Sequence, residues 1–448
     1  MACRLTLFLF LISGIAFCQP YADQHYFYEK DSLVKKIYSM DGMQVGGDGK
    51  SIVLKEGSLT GSTVFYPDSS EYPFNDGLPS WNGKVPNDNS SFKVLMRFFY
   101  GGWTQWVTVG YWKANIFPSY GEVEFANGSV EVDEVKLNSY CKKWQFQVQM
   151  RRTSTSQPSA SLHKLSFFLS DQLTTSKVNI AAIVKDKPPA IFIDTQHFYQ
   201  FALDPDIGGS ICSPTSTSMV LRSYNIKVDP LQFARDNYDP YWEMFGVWPR
   251  TVQNAAGYGL DGAVTRYRTW SQAEKVLEAG GRVVMSVGKP LYSGHLIMLA
   301  GFDESGNPIV HDPARSDGYA YKFDKTDLSR SWFEKGGVGY TFYPGSMTNS
   351  VEKDLSNIKS VPGEMIVRNY PNPFNGQTTL TFETSEAAYT RIAVYDIVGR
   401  EVEKLYDGII QRGSHTFRWN AGSLPTGNYF IHVINGSKSR TLKALLLK

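Results

Sequence analysis

One cysteine stands in a local sequence that would suit nucleophilic catalysis. Cys212 is followed by small hydroxylated residues and Pro214, and then by the apolar run 219–221. Because proline is tolerated in the first turn of a helix, this pattern predicts a helix that begins at or just after the cysteine. The free amide N–H groups and the dipole at a helix N-terminus favour a thiolate over a thiol. Cys212 is therefore a candidate nucleophile.

A nucleophilic cysteine needs a nearby base and a third group that orients the base. His295 opens an apolar run directly after a glycine, and Asp312 closes the next apolar run, beyond a turn at residues 303–307. On two neighbouring antiparallel strands, these two residues would fall at the same end of a hairpin. We expect Asp312 to hold the Nδ1–H of His295 while Nε2 faces the thiol of Cys212.

Other histidines and a second cysteine leave alternatives open. His311 adjoins the candidate aspartate and therefore points to the opposite face of a strand, and His197 has no evident carboxylate partner. A disulfide between Cys141 and Cys212 would consume the nucleophile. The sequence has no HxxxH or CxxC spacing and no phosphate-binding glycine loop, so we expect neither a metal nor a cofactor.

The N-terminus predicts export. A basic start precedes the short apolar run Leu5–Phe17, which is typical of a secretory signal peptide and too short to span a membrane. We expect residues 1–18 to be removed; acylation of Cys18 in a lipoprotein is the alternative, which the bulky Phe17 disfavours. No later run approaches the roughly 18 apolar residues of a spanning helix. The sequence therefore predicts a protein that is secreted or lies on the cell surface, without a membrane span.

Length and charge set the broad class. A chain of 448 residues suggests about three domains at roughly 150 residues each. Its 45 basic and 43 acidic residues nearly cancel, so nothing electrostatic points to nucleic acid or to an anionic membrane.

Residues 24–185 predict an antiparallel β-sandwich, because short alternating runs such as Phe92–Tyr100 are separated by Gly, Asn, Asp and Pro clusters. Glu122 and Glu124 alternate on one strand and are interpreted as a solvated edge, not as a glycosidase pair. Core packing is preferred over a sugar-stacking platform for four clustered tryptophans, namely Trp81, Trp103, Trp106 and Trp112.

A joint stiffened by proline, Lys185–Pro189, precedes an α+β region at residues 190–345. Its buried strands are predicted at Val283–Val287 and Leu296–Ala300. Residues 346–362 form a polar linker, and residues 363–448 return to strands in a small Ig-like sandwich. The helices of the α+β region are predicted at Pro214–Tyr224, Asp229–Asp236, Trp248–Gly257 and Ser271–Glu278.

Four ordered motifs resemble the C39-like peptidase family, which has a papain-like fold. They are GGSICSPTSTSMVL (208–221), SGHL (293–296), NPIVHDPA (307–314) and SWFEKGGVGY (331–340). The resemblance covers roughly residues 190–343. It implies that Cys212 is the nucleophile, His295 the general base and Asp312 the group that orients the base.

The resemblance also implies a glutamine upstream of the cysteine that donates a hydrogen bond to the oxyanion. Papain-like enzymes place it six residues before the cysteine, where this chain has Asp206. Gln200 is assigned to this role across a short insertion, with Gln196 as the alternative. The backbone N–H of Cys212 would be the second donor.

Motifs on either side of the peptidase-like region carry two further resemblances. LPSWN (78–82) and GGWTQW (101–106) look like the β-sandwich that precedes this peptidase type in some secreted bacterial proteins. NYPNPFN (369–375), VYDIVGREV (394–402) and LPTGNYF (424–430) resemble the type A sorting domain of type IX secretion. That domain implies passage across the outer membrane and the type IX machinery as a partner; a non-cleaved adhesion module is the alternative.

Two functions from different classes remain. The first is a secreted bacterial cysteine peptidase that hydrolyses protein or peptide substrates, with amide or acyl transfer by the same triad as a variant. The second is a surface protein that binds glycans or peptides through its aromatic sandwich and carries an inactive peptidase fold. Trp242, Phe245 and Trp248 are interpreted as aromatic residues lining a substrate cleft.

Overall fold

The computed structural model of the protein describes residues 22–113, 121, 123–345, 366–370, 374–384, 387–436 and 438–447. The predicted signal peptide (1–18), the predicted linker (346–362) and Glu122 lie outside these residues. Within the described residues the strands form four sheets, of twelve, six, three and four strands, so the protein is multidomain and rich in β-structure. None of the helices described is both long enough and apolar enough to cross a membrane.

The N-terminal region is an antiparallel, sandwich-like domain. Two long strands, β6 and β11, connect its halves: the first part of β6 pairs with β11, and its second part pairs with β12. Apolar side chains from both halves meet in one core that includes Trp81, Trp144 and Phe167. The elements are β1 (Gln24–Glu29), α1 (Lys30–Lys35), β2 (Ile37–Asp41), β3 (Met43–Val45), β4 (Ile52–Leu54), β5 (Thr60–Phe65), β6 (Asp68–Lys84), β7 (Ser90–Phe98), β8 (Val107–Trp112), β9 (Glu124–Phe125), β10 (Gly128–Glu131), β11 (Glu134–Arg152), β12 (Ser161–Ser170) and α2 (Ile180–Lys185).

The tryptophan cluster divides between core and surface. Trp81 and Trp112 are buried, as the preference for core packing predicts. Trp103 and Trp106 are partly exposed, and the guanidinium of Arg97 lies 4.7 and 4.5 Å from their ring centroids. A cation between two indole faces stabilises both rings through its attraction to their π-systems. Only two of the four tryptophans therefore remain near solvent.

The central region combines one antiparallel sheet with helices that lie against it. The sheet has the order β13-β16-β15-β18-β14, and β17 pairs with β16. All four predicted helices are confirmed, with ends that differ from the predicted ends by no more than two residues. The elements are β13 (Ile191–Phe192), α3 (Gln200–Leu203), α4 (Cys212–Ser223), α5 (Pro230–Asn237), α6 (Trp248–Gly257), β14 (Leu260–Arg266), α7 (Trp270–Glu278), β15 (Arg282–Val287), β16 (His295–Phe302), β17 (Pro308–His311), α8 (Lys325–Ser329) and β18 (Val338–Pro344).

Helix α4 is buried along almost its whole length although it is rich in hydroxyl groups. Burial of a hydroxyl is tolerated when the group finds a hydrogen-bond partner. Thr217 and Ser218 donate to carbonyl groups one turn earlier in the helix, and Ser216 donates to the carbonyl of Leu296 at 2.9 Å. The last of these bonds joins α4 directly to the start of β16.

The N-terminal and central regions share an apolar core and a polar interface. Leu78, Phe168 and Ile183 belong to the same buried cluster as the apolar residues of the central sheet. The side chain of Asn82 exchanges two hydrogen bonds with the backbone of Gly262, at 3.1 and 3.0 Å. Buried contacts of both kinds hold the two regions against each other.

The C-terminal region contains two antiparallel sheets around its own core, which includes Phe382, Ile392 and Trp419. One sheet has the order β19-β20-β23 and the other β22-β21-β24-β25. The strands are β19 (Ile366–Tyr370), β20 (Gln377–Thr384), β21 (Ala388–Tyr395), β22 (Glu401–Ile410), β23 (Gly413–Asn420), β24 (Gly427–Asn435) and β25 (Lys438–Leu446).

Candidate active site

Three elements of the central region bring the predicted triad residues together. Cys212 is the first residue of α4, His295 is the first residue of β16, and Asp312 directly follows β17. Strands β16 and β17 pair antiparallel, so the start of one lies beside the end of the other. Helix α4 lies against β16, which sets the cysteine above the histidine.

The imidazole of His295 and the carboxylate of Asp312 form a buried hydrogen bond. His295 Nε2 lies 2.8 Å from Asp312 Oδ1, and the side chain of Asp312 is fully buried. The expected ring orientation was wrong, because Nε2 and not Nδ1 faces the carboxylate. Nδ1 is left to face the thiol, since each ring nitrogen makes one such contact.

The thiol of Cys212 lies beside the imidazole of His295 and is half-buried. Burial alone would raise the pKa of this thiol, but the hydrogen bond and charge of His295, with backbone N–H groups of Leu296 and Ser213, lower it. Burial has the opposite effect on His295 and lowers its pKa, but the interactions of the ring with Asp312 and Cys212 raise that pKa to about 9. The arrangement thus favours a thiolate–imidazolium pair.

Cys141 is not bonded to the candidate nucleophile. Both Cys141 and Cys212 are free thiols, so the disulfide alternative was wrong. Cys141 lies on β11 in the core of the N-terminal region, where burial raises the pKa of its thiol. It is a buried structural cysteine, whereas Cys212 lies beside a base.

The rival histidines have structural partners. His311 is buried and holds the carbonyl of Ile193 at 2.9 Å, and burial lowers its pKa to about 4. His197 Nε2 lies 2.8 Å from the carbonyl oxygen of Asp312. His197 therefore supports the backbone of the aspartate, a contact that its position in the sequence does not indicate.

Gln200 lies beside the turn that leads to the cysteine. Its side-chain amide donates to the carbonyl of Gly208 at 2.6 Å, and its backbone N–H donates to Pro313 at 2.8 Å. Gln200 is buried and Gln196 is exposed. Within the described part of the chain, the carbonyl oxygen of the Gln200 side chain is buried without a hydrogen-bond partner.

Comparison with known families decides what the central region is. Residues 192–340 match the Peptidase_C39 like family. The chain carries a C39-like peptidase domain. Residues 58–170 match the Peptidase C39 N-terminal domain, so the sandwich-like region is the accessory domain of this C39-like protein.

The end of the chain matches the secretion system C-terminal sorting domain over residues 368–448. This match indicates that the C39-like protein is secreted by the type IX route to the cell surface. None of the curated proteins matches the chain significantly.

Solved structures resemble the C39-like protein only remotely. PorZ of the Porphyromonas gingivalis type IX secretion system is 18% identical over 37% of this chain and 25% of PorZ, with a TM-score of 0.14. A β-glucuronidase of Faecalibacterium prausnitzii is 9% identical over 95% of this chain and 46% of its own, with a TM-score of 0.15. The chain thus spans a quarter of PorZ, and scores this low carry no argument about fold or function.

Two tyrosines that the sequence analysis missed lie beside the candidate triad residues. The hydroxyl of Tyr292 donates to Asp312 Oδ2 at 2.5 Å, and its ring centroid lies 4.3 Å from that of His295. Tyr340 lies 2.8 Å from the hydroxyl of Ser213, which also contacts Thr251 at 3.1 Å. Tyr292 directly precedes the SGHL motif and Tyr340 is the last residue of the SWFEKGGVGY motif. Their positions in these motifs could have marked both tyrosines as residues near the site.

A lysine near Cys212 and an aspartate at the start of α6 were also missed. Lys335 Nζ donates to Ser286 Oγ and to the carbonyl of Val287, each at 3.2 Å. Burial lowers the pKa of Lys335, and the nearby Cys212 thiolate opposes this shift. Asp133 of the accessory domain accepts from the backbone N–H of Trp248 at 3.0 Å, and burial raises its pKa to about 8. Nothing in the local sequence marks Asp133, because its partners are over a hundred residues away.

That Trp242, Phe245 and Trp248 line a substrate cleft stays a prediction, and the structure shows only where the segment that carries them passes. A β-carbon at Gly246 would lie 3.6 Å from that of Ser213, so the segment between Phe245 and Trp248 passes beside the nucleophile helix. Trp248 packs against the same apolar cluster as Cys212.

Among the described residues, no group of three or more His, Cys, Asp or Glu side chains is placed to hold a metal ion.

Proposed function

We propose that this protein is a secreted cysteine peptidase that hydrolyses peptide bonds through Cys212, His295 and Asp312. The domain that carries the triad would be a papain-like α+β fold, followed by an Ig-like sorting domain. The observation that carries the proposal is the position of the His295 imidazole, which lies 2.8 Å from the carboxylate of Asp312 and beside the thiol of Cys212. A carboxylate, an imidazole and a thiol in this order convert a weakly nucleophilic thiol into a thiolate with a proton donor beside it.

Each group would have a defined task. The thiolate of Cys212 attacks the peptide carbonyl, and the imidazolium of His295 gives its Nδ1 proton to the departing amine. The acyl group then remains on the sulfur as a thioester. Neutral His295 next removes a proton from water, which attacks the thioester and releases the acid. Asp312 keeps the imidazole oriented and stabilises its charged form.

The developing oxyanion would be stabilised at the start of α4. The backbone N–H of Cys212 belongs to the first turn, whose amide groups have no partner within the helix. Gln200 is the proposed side-chain donor, because its amide group lies at the turn just before the cysteine. A carboxamide offers two N–H donors, so the bond to Gly208 leaves one for the oxyanion.

The decisive experiment compares two cysteine variants of the mature protein. Cys212→Ala should abolish hydrolysis of casein and of fluorogenic peptides, while Cys141→Ala, the matched control, should retain it. Full hydrolysis by Cys212→Ala refutes the proposal. Adding an amine acceptor distinguishes hydrolysis from acyl transfer. Formation of a new amide in place of the free acid indicates acyl transfer.

The alternative function, binding of glycans or peptides by the accessory domain, has weaker support. Trp81 and Trp112 are buried in the core and do not reach a ligand. Trp103 and Trp106 retain exposed surface, but Arg97 lies against both rings. A silent glycan array together with turnover of casein would remove this alternative.

A further inference from the structure

A groove adjoins the candidate active site on the side of His295. Its volume is about 560 Å³, and it is lined by residues 289–293 together with Arg330 and Glu334. The two walls are fixed to each other, because Gly288 donates to the carbonyl of Ser331 at 2.7 Å and Leu291 donates to the hydroxyl of Ser331 at 3.2 Å. The groove is therefore part of the folded domain and its walls keep their spacing.

The groove reaches the triad through Tyr292. This residue lines the groove, and its hydroxyl also holds the carboxylate of Asp312. Its ring packs against the imidazole of His295 at a centroid distance of 4.3 Å. A peptide whose carbonyl lies at Cys212 would therefore enter the groove as it passes the histidine.

The groove is positively charged. Lys289 and Arg330 line it and are exposed, and within the described residues neither has a carboxylate at ion-pair distance. Glu334 is the acidic residue among those that line the groove. Lys335 extends the positive charge toward Cys212, because its Nζ lies 3.8 Å from the position of a β-carbon at Gly294.

We infer that this groove is a substrate subsite that recognises a carboxylate, supplied by an acidic side chain or by the C-terminus of the peptide. The inference rests on the proposed peptidase function and adds a substrate class to it. Two cations without carboxylate partners, in a groove that Tyr292 connects to the triad, favour a substrate with the opposite charge. The acidic group would lie against Lys289 and Arg330 while the scissile carbonyl lies at Cys212.

The test uses internally quenched peptides of one sequence. Glutamate, glutamine or lysine is placed at each of three positions on either side of the scissile bond, and each peptide is made with a free and an amidated C-terminus. The peptides with a carboxylate at the matching position should show a kcat/KM about 3- to 20-fold higher at low salt, as expected for two exposed ion pairs. A preference for glutamate at one position shows that an acidic side chain supplies the carboxylate. A preference for the free over the amidated C-terminus shows that the terminal carboxylate supplies it.

Variants locate the preference in the groove. In the double variant Lys289→Gln/Arg330→Gln, the ratio of kcat/KM for acidic over neutral peptides should fall to about 1. Lys227→Gln/Lys322→Gln is the matched control, because both lysines are exposed in the same domain and neither lines the groove. An equal rate for acidic and neutral peptides in the wild type, or an undiminished preference in the groove variant, overturns the inference.

Binding measurements separate this inference from the proposed function. Fluorescence anisotropy of labelled glutamate and glutamine peptides on Cys212→Ala reports on the groove without turnover. Tighter binding of the acidic peptide that is lost in the groove variant supports the inference even when no peptide is cleaved. Equal binding of both peptides refutes it, whatever the activity of the enzyme.

Discussion

Replacing Asp312 with asparagine removes the charge that stabilises the imidazolium of His295 and leaves the size of the side chain unchanged. Asp312 is fully buried and lies 2.8 Å from the imidazole. The asparagine side chain is still able to accept a hydrogen bond from the ring. The variant therefore tests the carboxylate charge, and not the presence of a side chain.

The structure gives the size of the expected effect. The pKa of His295 is about 9, against an ordinary value of 6.5, which corresponds to about 3 kcal/mol in favour of the charged ring. Replacing the carboxylate with a neutral acceptor reduces the contribution of the hydrogen bond from about 1.5–3 to about 0.5–1.5 kcal/mol, a loss of roughly 1 pKa unit. We expect the pKa of His295 in Asp312→Asn to fall to about 8.

The assay is the pH dependence of alkylation by iodoacetamide, followed separately at Cys212 and Cys141 by peptide mass spectrometry. In the wild type, Cys212 should react through its ion pair well below the pH at which Cys141 reacts, with a second step near pH 9 where His295 loses its proton. In Asp312→Asn that second step should move to lower pH. A histidine whose pKa is raised in the folded state stabilises the fold fully below its unfolded pKa, and this contribution is lost as the pH rises through the folded pKa. In Asp312→Asn the contribution should therefore be lost at a lower pH than in the wild type.

The control is Asp317→Asn. Asp317 is exposed in the loop after Asp312 and pairs with Arg315, so its replacement should leave the profile of Cys212 unchanged. A second step that stays at the wild-type pH in Asp312→Asn shows that the carboxylate does not stabilise the imidazolium. The assignment of Asp312 is then wrong, even if Cys212 and His295 act as proposed.

Two further predictions concern residues around the triad. Gln200→Ala should lower kcat about 10²- to 10³-fold, as for other oxyanion donors, and leave the alkylation of Cys212 unchanged; equal activity in Gln200→Ala and a loss in Gln196→Ala would reverse the assignment. Asp133→Ala should lower the free energy of unfolding in urea by about 1 kcal/mol, because α6 loses the acceptor for its first N–H. Asp133→Asn, which keeps an acceptor oxygen, should cost only a fraction of that amount, and an equal loss in both variants would show that the charge matters and not the hydrogen bond.

Local sequence predicted the helices of the C39-like domain and the hairpin that carries His295 and Asp312. Helix α6 has the predicted ends, Trp248 and Gly257, and Asp229 caps α5 by accepting from Leu231 and Gln232. The hairpin argument placed His295 and Asp312 at one end of two paired strands, which is where they lie. These features depend on residues close together in the chain, where helix caps and strand alternation are strong signals.

Features that depend on distant parts of the chain were not predicted. The sequence contains no signal for the approach of α4 to β16, which brings Cys212 to His295. The side chain of Lys335 extends past Gly288, where a β-carbon would contact it at 3.0 Å, and its charge interacts with that of Cys212. Asp133 reaches α6 from the tight connection between β10 and β11, where Val132 has a φ of 60°.

The interface between the accessory and C39-like domains makes the two domains one structural unit. A chain cut at the start of the family match would expose the apolar surface that Leu78 covers and would leave α6 without the acceptor that Asp133 supplies. We expect recombination between genes of this kind to give a stable protein only when both domains are transferred together. An accessory domain from another protein would have to bring its own carbonyl or carboxylate oxygen to the N–H of Trp248.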